Sequence, residues 1–460
     1  MITEALASAI HARVTQLLDD AIDAQYESVA DMPDQAQRDR SFAVGAYPAL
    51  VDFHFGAPGD FHTIKNNALE CSGSTFMGLW FLAQGYKVLS DIEDGGSGVL
   101  EPSDIAALQD KINLQLTRAA LLPKFYQGNG PEPDAWGCPK ETMGWYPLVG
   151  GFRLPAVLPN CVESMLSGSL GNDISNLADG DIWSWCMAID NTLPHVFEYH
   201  HDITDARVYQ ELLGSQHTWD MLHPQAQALQ QAVRPGDQQR RPIGTFYGAF
   251  GPRKQRYSCA VMANILAAIP LLANIPSDLE ADIEEARSFV RDACTIACAP
   301  NPALSWEDIA YDYYTIPAAT IGYIARSHKR ILEIARPGYA PIFDTPDARA
   351  AAIDYIERTA WLDLQTVEVL NKPIEYANLV YCFSAMMSLR WEDPELFTED
   401  DLCLRTAKAL LQANPAANEV PGTGPYQLVG PLWADMASIC FVTPPLIEAL
   451  LLYLEVESRA

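Results

Sequence analysis

The chain has 460 residues, 49% hydrophobic and 19% charged, enough apolar material for one large core. Acidic residues outnumber basic ones by 59 to 30, a formal net charge of −29. A surface that negative argues against nucleic acid or anionic membrane as partners, and a polyanionic substrate would need a metal or a local Arg cluster beside it.

Residues 2–28 read as a first helix, amphipathic and acidic, without the basic start and continuous apolar run of a secretion signal. After the polar stretch DMPDQAQRDR, the chain is loop-like around Gly56, Pro58 and Gly59. It then becomes a helix over about 64–89, apolar on most sides and therefore buried. The loop SDIEDGGSGVLEPSDIAAL has a superficial likeness to an EF-hand. Aligned on Gly98 and Leu100, it offers Glu93, Gly95, Ser97 and Asp104 where such a loop wants Asp, Asp or Asn, and a bidentate Glu. The simpler expectation is a Gly-rich turn with Pro102 or Ser103 opening a helix over 103–122.

A long Gly/Pro/Trp-rich connection follows, of a kind that often forms lids or site walls. Helix resumes at about 155–168. Next comes the richest stretch of the chain, Leu177 to Asp202, LADGDIWSWCMAIDNTLPHVFEYHHD, which reads as one long, mostly buried helix. Another long connection spans 219–252. Helical patterns recur at about 255–273, 276–297, 306–334, 346–359, 363–390, 400–413 and 431–457, and strand-type alternation is weak everywhere. No composition break marks a linker, so residues 1–460 read as one all-α domain with 1–60 packing on its outside. Helical hairpins in units of about 40 residues, with long irregular loops and broad apolar faces, favour a closed (α/α)6 toroid over a solenoid.

The ten Cys form no CxxC pair and lie mostly in apolar helical stretches. They read as reduced, small buried hydrophobes, and with no run of roughly 18 uninterrupted apolar residues the expectation is a cytoplasmic protein without a membrane span.

Three fragments share one resemblance. AIDNT at 188–192 resembles a degenerate form of the DxDDT motif of squalene–hopene-type terpene cyclases and their prenyltransferase-like toroid relatives. IGTFYGAFGPRKQRYSCAVMANILAAI is similar to an aromatic-Gly loop followed by a V-x-A-N-x-L helix in that superfamily. SWEDIAYDYYTIPAATIGYIARSH is similar to its Tyr-rich turn before an inner helix. Together they cover about a quarter of the chain. The resemblance implies an (α/α)6 toroid whose central cavity holds an apolar substrate. Only Asp190 and Thr192 match the motif, since Ala188 and Asn191 replace two of its Asp residues. The family's proton donor is the middle Asp, so the resemblance gives that role to Asp190. Gln-Trp repeats and a DDxxD motif are not evident.

Protonating an alkene, alcohol or epoxide needs a carboxylic acid kept protonated in an apolar site, which is what burial does to a carboxyl group. Asp190 is the candidate acid, with His195 or Glu198 assisting proton transfer; the bland reading is that Asp190 joins two helices. Trp183, Trp185, Phe246, Tyr247, Tyr311 and Tyr314 are expected to shape the cavity, since aromatic faces stabilise carbocations or stack on sugar rings. Cys259, at a helix N-terminus where thiol pKa values fall, is the Cys to consider reactive. Glu198 and His201, three apart on the expected helix, match one ExxH half of a di-iron site, and Asp220 with His223, or Asp52, His54, Asp60 and His62, are further polar sets. The bland reading there is a helix end facing solvent. Arg234, Arg240, Arg241, Arg253, Lys254 and Arg256 form the one basic cluster, either an anion site or a solvated loop paired with surface acids.

The leading expectation is a terpene cyclase- or isomerase-like enzyme, of lyase or isomerase class, acting by protonation without cofactor or metal on an isoprenoid-like substrate. The alternatives are a carbohydrate-active toroid (glycosidase, lyase or epimerase) with paired carboxylates and a non-enzymatic helical scaffold. The oligomeric state is not legible.

Overall fold

A computed structural model describes residues 2–27, 45–57, 60–64, 69–71, 73–96, 98–127, 180–204, 218–239, 242–245, 255–300, 302–310, 316–370, 373–413, 421–429 and 432–459. Helix dominates these residues. In order they are α1 (Glu4–Ala24), strands β1 (Pro48–Ala57), β2 (Asp60–Ile64) and β3 (Leu69–Cys71), then α2 (Ser74–Asp94), α3 (Pro102–Arg118), α4 (Leu122–Tyr126) and α5 (Gly180–Thr192). After these come α6 (Pro224–Val233), α7 (Cys259–Ala268), α8 (Glu280–Cys298), α9 (Trp306–Ala310), α10 (Pro317–Ile334), α11 (Pro346–Leu370), α12 (Pro373–Arg390) and α13 (Leu402–Gln412). Strands β4 (Pro421–Val429) and β5 (Leu432–Ser438) precede the last helix, α14 (Thr443–Arg459).

Local chemistry sets many of these ends. Ser258 caps α7 by accepting the Val261 N–H, and the His223 ring caps α6 by accepting the Gln225 N–H. Pro102, Pro224 and Pro317 stand in first turns, where a missing N–H costs nothing. Ala335 closes α10 in the left-handed conformation.

Six helices pack in sequence: α2 on α5, α5 on α7, α7 on α10, α10 on α12, α12 on α14, and α14 back on α2. Their neighbours close a cycle. Further helices pack on these six: α3 on α2, α1 on α14, α8 on α7, and α11 and α13 on α12. The contacts across the cycle show its direction. Met77 meets Tyr323, Trp80 meets Arg326 and Lys87 meets Glu333, all with the same offset of 246 residues, so α2 and α10 run parallel. One apolar core runs through the whole assembly.

Contacts cross this cycle at three levels. Tyr323 donates to Met77 Sδ at one level. At the next, the Arg326 guanidinium lies 3.5 Å from the Trp80 ring centre and donates from Nε to Glu448 (2.6 Å). At the third, Lys329 Nζ (2.6 Å) and Arg330 Nη1 (3.2 Å) bond Glu333, and Lys87 lies 3.8 Å from it.

Several sequence expectations change. The stretch 177–202 is not one helix: α5 stops at Thr192, because Pro194 has no N–H to continue the ladder and His195 turns left-handed (φ 66). Pro48–Ala57, Asp60–Ile64, Leu69–Cys71, Pro421–Val429 and Leu432–Ser438 form strands, in the order β2-β1-β5-β4 with β3 also on β1, all antiparallel. The helices expected at 64–89 and 431–457 therefore begin later, at Ser74 and Thr443. The break expected near residue 360 falls instead before Pro373, and 306–334 divides into α9 and α10. The helix expected at 155–168 lies outside the described residues.

By length and composition Ile439–Arg459 is apolar enough to cross a membrane, yet its most apolar 18-residue window is buried and it packs against α1, α2 and α12, as a core helix does.

Candidate functional site

The first turn of α5 carries Asp181, 2% exposed. Its Oδ1 accepts from Asn264 Nδ2 of α7 at 2.9 Å, and Ser327 of α10 donates to Asn264 Oδ1 at 3.4 Å. Burial, the neighbouring Tyr381 and the Asp181 charge all push the Tyr323 phenol well up, while Arg326 opposes them. The Tyr381 hydroxyl in turn donates to the Phe441 carbonyl (2.6 Å). Asp181, Tyr323, Met77 and Tyr381 thus gather at the uppermost of the three levels, on the side where the chain enters its inner helices.

Below them, burial lowers the Arg326 guanidinium pKa and raises that of Glu448, so each charge depends on the other for its partner. Burial also works against the Glu333 carboxylate, but Lys329, Arg330 and Lys87 outweigh it and hold the group at about 2. The lower levels carry paired ionic side chains; the upper level has a carboxylate and two phenols.

Asp190 lies elsewhere. It is nine residues beyond Asp181, about half a turn round the helix at 3.6 residues per turn. Asp181 and Trp185 face the ring, where Trp185 stacks on Trp80 (6.5 Å). Asp190 faces the returning segment 193–204 instead. Burial pushes its carboxyl up to about 6, against the Tyr199 hydroxyl, the Phe197 N–H and His195, which favour the charge. Cys186, one turn earlier and buried, shares this pocket with Tyr199, and burial with the Asp190 charge raises its thiol well above the ordinary range.

The segment 193–204 is a loop, so the helical ExxH spacing of Glu198 and His201 does not exist here. Gln127 holds the loop, accepting from the His200 and His201 N–H groups (2.8 Å each) and donating to the His201 carbonyl (3.0 Å). Glu198 pairs with Lys124, and His195 is exposed. Among the described residues, no three His, Cys, Asp or Glu side chains are grouped to hold a metal ion. Asp220 lies in a short 3-10 turn before the capping His223, and His54 bonds Thr63 across β1 and β2 (2.9 Å).

Trp183 is fully buried in α5. Phe246, Tyr247, Tyr311 and Tyr314 lie outside the described residues, as do Arg240, Arg241, Arg253 and Lys254. Arg234 pairs with Glu285 (3.0 Å) and Asp292 (2.7 Å). Cys259 does open α7, where it is fully buried, and burial pushes its thiol up. The loop around Gly98 has Glu93 in the last turn of α2 and Asp104 in the first turn of α3.

Asp181, Asn264, Tyr323, Arg326 and Glu448 were not singled out as site residues in the sequence. The available signal was an Asp and an Asn inside strongly apolar helices, where a polar group needs a partner.

Fold and site define a mostly helical chain of the all-α class with a hydrogen-bonded carboxylate buried among inner-helix beginnings. No family model, curated protein or solved structure matches it.

Proposed function

We propose that the closed cycle is the inner barrel of an (α/α)6 toroid, and that the chain is an enzyme of protonation-initiated chemistry on an apolar, isoprenoid-like substrate. The general acid is Asp181. The observation that carries this reading is the Asn264–Asp181 hydrogen bond at 2.9 Å, deep in apolar surroundings and beside Tyr323. A carboxyl that gives a proton to a hydrocarbon must be dry, fixed in orientation and close to groups that tolerate a cation. Asn264 fixes one carboxyl oxygen of Asp181. Tyr323 and Tyr381 bring aromatic faces to the same level. Asp190, on the opposite helix face, ties α5 to the returning segment and is not the acid in this reading.

Substrate burial supplies the binding energy, at about 25 cal/mol per Å2 of hydrocarbon surface. In this reading the substrate binds beyond the Tyr323–Met77 level, on the side of the α5 and α2 N-termini.

The test is a product search in heavy water with isoprenoid alcohols, diphosphates and long polyenes, read by gas chromatography–mass spectrometry. A deuterium-bearing product, kept in Asp190→Asn and lost in Asp181→Asn, is expected. Deuterated product retained by Asp181→Asn would remove the acid assignment. No product from any member of the panel would remove the isoprenoid reading, and neutral sugars are then the next panel.

A further inference from the structure

A second chemically distinct site lies outside the ring, in the last turn of α8. Cys294 and Cys298 stand one turn apart there, both 1% exposed, with their sulfurs 3.8 Å apart. Oxidation to a disulfide does not suit this pair. Side chains four apart on a helix have Cβ atoms about 5–6 Å apart, whereas a disulfide needs about 3.5–4.5 Å. A single larger atom between the sulfurs removes that conflict. Two sulfurs bound to one centre at about 2.3 Å, at about 100–110°, stand about 3.5–3.8 Å apart, which is the spacing found.

The number of ligands narrows the choice. With no third His, Cys, Asp or Glu grouped on the pair among the described residues, it offers two sulfurs and no more. An ion that needs four protein ligands is poorly served. A trivalent metalloid that already carries one substituent needs two thiolates. We propose that Cys294 and Cys298 form a dithiol site for a trivalent, thiophilic metalloid of this kind, such as a monosubstituted arsenical.

The reaction balances without an oxidant. Two S–H bonds and the arsenic–oxygen bonds of an arsine oxide break, and two S–As bonds form. The oxygen leaves with both thiol protons as water, and arsenic stays trivalent.

Burial makes capture depend on opening. Cys298 is the final residue of α8, and the chain turns out of the helix at Ala299 (ψ 150). Helix ends open more readily than their middles. Arg358 of α11 holds this end shut, donating from Nη2 to the Cys298 carbonyl at 2.8 Å. The Cys294 thiol is held protonated: its contact with Cys298, burial and nearby Cys259 all raise its pKa. Capture is therefore slow in the closed state and set by the fraying of this turn.

The experiment treats the reduced full-length protein with one equivalent of phenylarsine oxide under native conditions. Intact mass and peptide mapping follow. Trypsin releases both thiols in the single peptide Asp292–Arg326, which contains no other Cys. The expected result is one adduct, the mass of phenylarsine oxide less one water, on that peptide. It should be reversed by a dithiol but resist a tenfold excess of monothiol. Cys294→Ser and Cys298→Ser should each abolish the monothiol-resistant adduct, and Cys259→Ser should leave it. Arg358→Ala should speed its formation several-fold, a readout that does not depend on altering either thiol. An adduct elsewhere in the chain, no adduct until denaturant is added, or unchanged capture in Cys298→Ser would each overturn the proposal.

Discussion

Asp190→Asn tests what the buried Asp190 carboxyl does to stability. Burial raises the Asp190 carboxyl from 3.8 to about 6. The unfolded chain ionises this group near its ordinary value, while the native protein keeps its proton until about pH 6. Between those limits unfolding releases a proton, so stability falls as the pH rises, and above pH 6 the whole penalty is present. A rise of roughly two units, at 1.36 kcal/mol each, is about 3 kcal/mol. Asn keeps an oxygen to accept from Tyr199 and from the Phe197 N–H, but carries no charge to desolvate. The variant should therefore be more stable than the parent by about 1–3 kcal/mol at pH 8, and the difference should shrink steadily towards pH 4. Urea unfolding followed by tryptophan fluorescence across pH 4–8 measures it. A variant less stable at pH 8, or a difference that does not change with pH, would refute the reasoning.

Asp363 offers a second case of the same sign: burial, with Glu375 adding to it, brings its carboxyl up to about 7. Asp363→Asn should add stability above pH 7 by up to about 4 kcal/mol, fading below pH 4, in the same urea titration. Glu333 has the opposite sign. Its carboxylate is held at about 2, so its contribution is present above its unfolded value near 4.5 and is lost as the pH falls through 2. Glu333→Gln leaves Lys329 and Arg330 buried without their acid and should cost about 3–5 kcal/mol at pH 7, read by denaturant midpoint. For the buried Arg326–Glu448 pair, Arg326→Met and Glu448→Leu should each cost about 3–5 kcal/mol, while the double variant should recover most of that loss. Additive losses in the double-mutant cycle would show that the pair is not coupled as its geometry demands.

The sequence determined much of the local structure. Apolar periodicity was enough to find most of the helices, because a helix that buries a broad face must repeat apolar residues at that period. Cys259 was legible as a helix beginning, and a Gly-rich turn before a helix opened by Pro102 or Ser103 was legible from those residues alone. The acidic balance, the absence of paired CxxC motifs and the unusual polar load of α5 are properties of the sequence itself.

What it did not determine depends on neighbours far away in the chain. β1 pairs with β5 across more than 350 residues, and its His54 is buried while Phe55 is 39% exposed, so the hydrophobic pattern there does not report which face is covered. The end of α5 at Thr192 hid behind continuing apolar residues, because Phe197 packs on Phe76 from a loop as readily as from a helix. Above all, the sequence could rank Asp190 by its likeness to a motif but could not tell which face of α5 looks into the ring. That depended on Asn264 of α7 and Trp80 of α2 meeting Asp181 and Trp185. A carboxyl's chemistry is set by what surrounds it, and only the tertiary structure decided that Asp181 would meet an amide inside the ring while Asp190 turned away from it.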